Sequence, residues 1–253
     1  MTEPMADLRL VTIPFSHFCE KARWALDRAG LPYREDGYLP MLSWLPALRA
    51  GGRRQVPVLL APDGAVADST DILHWVDRQP GVTPLVPTGD REVAELEEGF
   101  DRSLGPHARR LGYSALLPQR RAVAALLDGA PRWQARLARP ALPLITRLIR
   151  RGLRVEPVAV ERSRQRIDEI FAEIGARLAD GRRYLTGDRF TAADLTFAAL
   201  AAPLVAPPGY DRYLPPAETW SDAMREMIEA KRSTPAGAFV LRMYRDERGR
   251  AGN

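Results

Sequence analysis

Apolar and polar residues repeat with two different periods near the start of the chain. The apolar run at 8–13, ended by Pro14, predicts a strand. From Phe18 to Ala29 the apolar residues follow the spacing of an amphipathic helix, and Gly30 supplies a stop signal. The chain therefore begins with a strand that leads directly into a helix.

The pattern up to residue 80 predicts a compact α/β unit with a small mixed sheet. Its further elements are a weak strand at 33–38, a short helix or irregular turn at 41–50, a β run at 55–61, a returning strand at 65–67 and a helix at 68–76. Pro57 cannot donate to a ladder, so it marks an edge or a special backbone position. Asp63-Gly64 is a hairpin signal.

Proline and glycine interrupt both periods at 80–89, and beyond this stretch the β signal vanishes. We therefore expect an N-terminal domain at 7–80, a linker at 81–91 and an all-helical domain at 92–248. Its predicted helices are 92–104, 119–127, 133–153, 159–178, 192–205 and 217–231. Pro140 and Pro143 are expected to break the third of these helices.

Thr191 and Asp194 form a variant capping box, with Asp where Glu or Gln is usual. Phe190 and Leu195 occupy the two positions of a hydrophobic staple around it. We interpret this set as the start of a helix in the middle of the domain, and Thr191 and Asp194 as structural.

Composition and charge remove several classes of function. The net charge is +5 and the pI is about 9.7, but the charges are mixed along helical stretches and no nucleic-acid-binding motif accompanies them. The single cysteine suits a reducing compartment. No signal pattern, long apolar run or metal-ligand cluster is found. We expect a cytoplasmic protein with no transmembrane segment, no metal and no nucleic-acid partner.

The candidate catalytic position lies at the junction between the first predicted strand and the first predicted helix. Ser16 occupies the position that prefers an N-cap, where unpaired backbone N–H groups attract an anion. A thiol bound there would be favoured in its thiolate form. The alternative is that Ser16 only caps its helix.

Five features in order resemble the cytosolic glutathione transferases. They are Ser16-x-x-Cys19 after a strand, Gln55-Val56-Pro57, Asp68-Ser69, a Pro/Gly linker and a helical half containing Phe190-Thr191-Ala192-Ala193-Asp194. The resemblance implies a thioredoxin-like N-terminal domain, an all-helical C-terminal domain and a homodimer. It also implies conjugation of glutathione to a hydrophobic electrophile, as in detoxification.

The resemblance implies that glutathione is bound by Gln55, Val56, Pro57, Asp68, Ser69 and Arg54. In that assignment the Val56–Pro57 bond is cis, and the Val56 backbone pairs with the cysteinyl part of glutathione. Ser69 receives the γ-glutamyl carboxylate at a helix start. Gln55 faces the glycyl end, whose carboxylate Arg54 and its neighbour Arg53 would help to neutralise.

Two residues compete for the catalytic role. Ser16 aligns with the serine that donates a hydrogen bond to the bound thiolate, and also with the first cysteine of redox-active members of the family. Cys19 is one turn further along nearly the same face, so exchange with a glutathione disulfide by Cys19 stays open. A non-catalytic module that binds glutathione or hydrophobic ligands is a third hypothesis. The thiol itself is glutathione or another small thiol.

The electrophile pocket is expected between the domains. Its candidate residues are Phe15, Phe18, His107 and Tyr113, with Phe100, Leu104 and Leu111 nearby in the sequence. The apolar and basic segment 140–151 departs from the compact plan of the family. We interpret it as an insertion that caps the pocket, with a membrane-surface helix as the alternative.

Overall fold

The computed structural model describes residues 8–52, 55–128 and 130–248. The N-terminal part holds a four-stranded sheet in the order β2-β1-β3-β4, in which β1 and β2 are parallel and the other pairs are antiparallel. Its elements are β1 (Leu8–Thr12), α1 (His17–Arg28), β2 (Tyr33–Gly37), α2 (Trp44–Arg49), β3 (Val58–Ala61), β4 (Gly64–Ala67) and α3 (Ser69–Asp77). The predicted α/β class is confirmed, with the elements in the predicted order.

The chain after α3 is helical. Its α-helices are α4 (Arg91–Gly99), α5 (Gly105–Leu116), α6 (Arg120–Asp128), α7 (Arg132–Gly152), α8 (Pro157–Arg177), α9 (Ala192–Val205), α10 (Asp222–Arg232) and α11 (Pro235–Met243). The pattern did not predict α5 and α11. Both carry a proline near the start, which resembles a stop signal in the sequence. In α11 this proline follows the N-cap, where the missing N–H costs nothing, whereas α5 continues from α4 through a π-helical segment at Phe100–Leu104. No helix of the described residues is long and apolar enough to cross a bilayer.

The prediction that Pro140 and Pro143 break a helix is wrong, because α7 continues through both. Each proline removes one donor from the helix, but both lie on its exposed side, where water can replace the lost bond. The buried side is anchored by Gln134. Its side chain accepts from the N–H of Leu39 at 2.7 Å and donates to the carbonyl of Gly37 at 3.0 Å.

Helix α1 lies at the centre of the molecule, between the sheet and α9. Trp24 is fully buried and stacks on Phe190 with ring centroids 5.8 Å apart. Gly105 at the start of α5 packs against α1 so closely that a Cβ would lie 2.4 Å from the Phe18 ring. The two parts of the chain therefore share one core.

Three charged residues of α1, Glu20, Lys21 and Arg23, are buried and have partners. Arg23 binds Glu35 at 2.6 Å, and Glu20 accepts from Arg248 near the end of the described chain at 2.9 Å. Burying a charge is costly unless it is paired, so these contacts fix how α1 sits.

The capping box at α9 is present as predicted. Asp194 is fully buried and accepts from the N–H of Thr191 at 2.8 Å and from the N–H of Leu185 at 2.7 Å. One carboxylate therefore caps α9 and holds the loop that precedes it.

Replacing Asp194 by Ala is expected to lower the free energy of unfolding by about 2–4 kcal/mol, because two buried N–H groups lose their acceptor. Asp188 is an exposed carboxylate in the same loop, so Asp188→Ala is the matched control and is expected to change stability little. Urea unfolding of both variants checks this. Equal stability of the two variants would contradict the structural role of the box.

His17 links the two parts of the chain. Its Nε2 lies 3.1 Å from the carbonyl oxygen of Gly105, and burial lowers the pKa of the imidazole to about 3. The ring is therefore neutral when folded and is unsuited to act as a base at neutral pH.

Below pH 6.5 the unfolded chain binds a proton at His17, whereas in the folded chain the ring stays neutral down to about pH 3. The contribution of the neutral ring to the free energy of unfolding is therefore fully present above pH 6.5 and is lost as the pH falls towards 3. Between about pH 7 and about pH 5 this contribution falls by about 2 kcal/mol. His17→Gln is expected to be less stable than the natural protein at the higher pH, and the gap is expected to narrow by this amount at the lower pH. A gap that stays constant would show that His17 protonates freely in the folded protein.

Candidate active site

A cavity of about 820 Å³ lies between the sheet-bearing part and the helices. Four stretches of the N-terminal part, at 13–18, 40–44, 55–57 and 68–69, form one wall, and α5 with the end of α7 forms most of the other. The lining includes nine of the predicted site residues: Phe15, Ser16, Phe18, Gln55, Val56, Pro57, Asp68, Ser69 and Tyr113. The fold therefore brings together residues that lie up to 98 positions apart in the sequence.

Ser16 is the N-cap of α1, with the extended backbone that this position prefers. Its side-chain oxygen is 3.5 Å from the N–H of Cys19, which is long for a hydrogen bond. The residue is half-buried at the cavity wall. Its hydroxyl therefore remains able to donate to a group in the cavity, beside the partial positive charge of the helix start.

The Val56–Pro57 peptide bond is cis, as the resemblance implied. Val56 precedes β3 and lines the cavity, and its main chain makes no backbone hydrogen bond to another described residue. Pro57 uses its carbonyl oxygen to accept from the N–H of Asp68 at 3.2 Å. This bond ties the proline loop to the start of α3.

Asp68 and Ser69 form the turn into α3. Asp68 has a φ of 90°, a conformation that costs a non-glycine residue roughly 1–3 kcal/mol and is found mainly at functional sites. Its carboxylate caps α3 by accepting from the N–H of Thr70 at 2.9 Å. Ser69 is 1% exposed and lines the cavity, and its buried hydroxyl oxygen has no hydrogen-bond partner among the described residues. Four buried side-chain groups in the described part of the chain lack a partner, and Ser69 is the one of these four that belongs to the cavity lining.

A buried charge network that sequence reasoning missed lies beside α3. Lys21 donates to Thr70 at 2.7 Å and to Asp101 at 2.9 Å, and it also pairs with Glu97. Asp101 lines the cavity, and its charge adds to the burial that raises the pKa of Asp68. The corner therefore offers helix N–H groups and two carboxylates, which suits the carboxylate and ammonium of an α-amino acid. The signal available in the sequence was a lysine on the buried face of an amphipathic helix.

Two of the predicted residues lie away from the cavity, and a third is outside the described part of the chain. Cys19 is fully buried, is absent from the cavity lining, and burial raises the pKa of its thiol. His107 does not line the cavity either, because its Nδ1 faces the hydroxyl of Ser163 at 2.9 Å on α8. Arg54 lies outside the described residues, as does Arg53.

The far side of the cavity is apolar. The rings of Phe15 and Tyr113 meet edge to face with centroids 6.4 Å apart, and burial raises the pKa of Tyr113 to about 12. Both rings also line a second cavity of about 290 Å³. It is enclosed mainly by aliphatic side chains of α6 and α7, so α7 covers the pocket as predicted.

Two family models match the chain. The N-terminal domain of glutathione S-transferases matches residues 10–84, and the C-terminal domain matches residues 157–224. Together they cover more than half of the sequence and leave α4 to α7 between them. A search of curated proteins finds no match.

Many solved structures share the fold. A glutathione S-transferase from Methylobacterium radiotolerans, solved with glutathione sulfonate, has a TM-score of 0.52 at 20% identity. The match covers 93% of this chain and 95% of the chain of that enzyme. FzlA from C. crescentus has a TM-score of 0.57 at 17% identity, with 93% and 92% covered. Glutathione transferase F7 from Populus trichocarpa has a TM-score of 0.56 at 16% identity, with 92% and 97% covered.

At these identities the structural neighbours establish the fold alone. The family follows from the two matched domains, which appear in the order and at the places where the fold has its α/β and helical parts. The chain belongs to the glutathione S-transferase family.

Proposed function

We propose that the protein is a glutathione transferase that stabilises the thiolate of bound glutathione with Ser16 and directs it to a hydrophobic electrophile. The observation that carries the proposal is the shared cavity of Ser16, the cis Val56–Pro57 turn and the unpartnered hydroxyl of Ser69. As in the family, we propose a cytoplasmic homodimer.

The described residues support binding of the γ-glutamyl and cysteinyl parts of glutathione. The γ-glutamyl carboxylate would be held by Ser69 at the start of α3, and the γ-glutamyl ammonium by Asp68 and Asp101. The main chain of Val56, which makes no backbone hydrogen bond to another described residue, would pair with the cysteinyl part. Gln55 lines the same cavity and would face the glycyl end. Once bound, glutathione would supply the nucleophilic sulfur.

The role of Ser16 is electrostatic. A hydrogen bond to a charged group contributes about 1.5–3 kcal/mol, and one pKa unit corresponds to about 1.4 kcal/mol. The hydroxyl and the start of α1 together would lower the pKa of a bound thiol by about one to two units. The apolar wall at Phe15 and Tyr113 would orient the electrophile next to the sulfur.

The structure gives little support to Cys19 as the reacting group. A thiol with a raised pKa that is sealed from the cavity is a poor nucleophile, because the thiolate is the reactive form. A non-catalytic binding module differs from a transferase only in turnover, so activity measurements separate the two.

Ser16→Ala is expected to lower kcat/KM for conjugation about 10- to 100-fold and to raise the pKa of the bound thiol by about one to two units. Glutathione affinity is expected to change little, because the other contacts remain. Cys19→Ala is the comparison variant and is expected to keep both activity and thiol pKa. Thiolate absorbance against pH and a panel of electrophiles provide the readouts. If Cys19 is instead the reacting group, Cys19→Ala is expected to lose the reduction of a glutathione disulfide and Ser16→Ala is expected to keep it.

Ser69→Ala is expected to weaken glutathione binding about 10-fold in calorimetric titration, since the ligand loses a charge-assisted hydrogen bond. The pKa of the thiol is expected to stay the same once the complex is saturated. Thr196→Val is the matched control, because Thr196 also has a buried hydroxyl without a partner but does not line the cavity. An equal loss of affinity in both variants would point to general destabilisation.

A further inference from the structure

Helix α7 presents three different faces. The inner face packs on the rest of the molecule and carries, at intervals of three or four residues, Gln134, Ala138, Leu142, Ile145 and Ile149. The other two faces are exposed to solvent. The role of α7 as a cover of the pocket does not explain why these two faces are exposed to solvent.

One exposed face is apolar. Trp133, Leu137, Leu144 and Leu148 are 53%, 58%, 58% and 41% exposed. Their spacing of four, seven and four residues places them on one side of the helix. We call these four residues the outer stripe. It spans about 22 Å along the helix, so it forms a continuous apolar surface and differs from the single exposed leucines that are normal on a protein.

The other exposed face is cationic. It carries Arg132, Arg136, Arg139, Arg147 and Arg150, all exposed and also spaced by three, four or eight residues. We call these five residues the arginine row. The sequence from 130 to 155 contains seven arginines and no acidic residue. Several exposed arginines elsewhere in the described residues pair with a carboxylate, as Arg102 does with Glu98 and Arg225 does with Asp222.

The pocket reaches the surface at the outer stripe. Leu137, Leu144 and Leu148 are about half exposed, yet all three also line the smaller cavity. Trp44 of α2, 42% exposed, stands at the edge of the larger cavity beside Leu148. Since the smaller cavity is only partly enclosed, these half-exposed side chains in its lining place its opening at the outer stripe.

We propose that the outer stripe and the arginine row seat α7 on an anionic lipid surface. An apolar stripe containing Trp and Leu beside a row of arginines is the pattern of helices that lie in the plane of a membrane interface. Arginines next to the headgroups are attracted to anionic lipid, and the apolar stripe enters the acyl boundary. A second copy that docks through its own α7 is a poorer occupant, because that helix offers the same arginines and no carboxylate to pair with them.

This position gives the pocket a direct entrance from the lipid. A substrate with a long apolar chain would pass between Leu137 and Leu144 into the aliphatic cavity without crossing water. Resting on the proposed function, the inference names the electrophile as an amphiphile that partitions into membranes. The lipid contact itself does not depend on catalysis.

Flotation of the full chain with phosphatidylcholine vesicles, with and without phosphatidylglycerol, tests the contact in the absence of glutathione. We expect binding only when phosphatidylglycerol is present, and weaker binding at high salt. Replacing Arg136, Arg147 and Arg150 by Gln is expected to weaken binding about 100-fold. Trp133→Gln is expected to weaken it about 10-fold.

The matched control replaces Arg102, Arg164 and Arg225 by Gln, which removes the same net charge from other surfaces. It is expected to retain most of the binding. No binding to anionic vesicles, or equal loss in both triple variants, overturns the proposal. So does a dimer, seen by light scattering, that Trp133→Gln dissociates. Flotation uses no thiol or electrophile, so it measures lipid binding independently of catalysis. A protein that binds vesicles but has no transferase activity would contradict the proposed function and leave the lipid contact standing.

Discussion

The structure depends on the burial of helix α1 on all its sides, with every charge paired. A helix in that position cannot shift without exposing Trp24 or separating Arg23 from Glu35, and both changes are costly. The N-terminus of α1 is therefore held at the cavity wall, where Ser16 lies. A site that works through the direction of a hydroxyl and a helix dipole needs this rigidity, because electrostatic stabilisation depends on groups that are already oriented.

Two helix starts point into the same cavity, and the cis-proline turn lies between them. The start of α1 suits a sulfur anion, and the start of α3 suits a carboxylate. The strained backbone at Asp68 and the bond from its N–H to Pro57 show how the chain holds the second start in place. A ligand with an anion at each end, separated by a peptide, matches this arrangement better than a ligand with a single charge.

Much of this was predictable from the sequence, since the strand-to-helix handover, the hairpin and the capping box are local patterns. The residues of the proposed glutathione site were predictable only through the family resemblance, because their meeting in one cavity is a property of the tertiary fold. His107 shows the limit: its place in the sequence was compatible with the pocket, but its rotation towards Ser163 depends on the packing of α8. The course of α7 through two prolines was decided by its packing on Gly37 and Leu39, which no local signal reveals.

The two walls of the cavity come from different stretches of chain. The thiol wall lies within the first matched domain, whereas α5 to α7 fall between the two matched ranges. A change of length or composition in α6 and α7 can therefore reshape what the pocket accepts while Ser16, Val56 and Ser69 keep their geometry. In the proposed function, recognition of the electrophile and activation of the thiol belong to separate stretches of the chain, so selection or engineering can retune one of them without rebuilding the other.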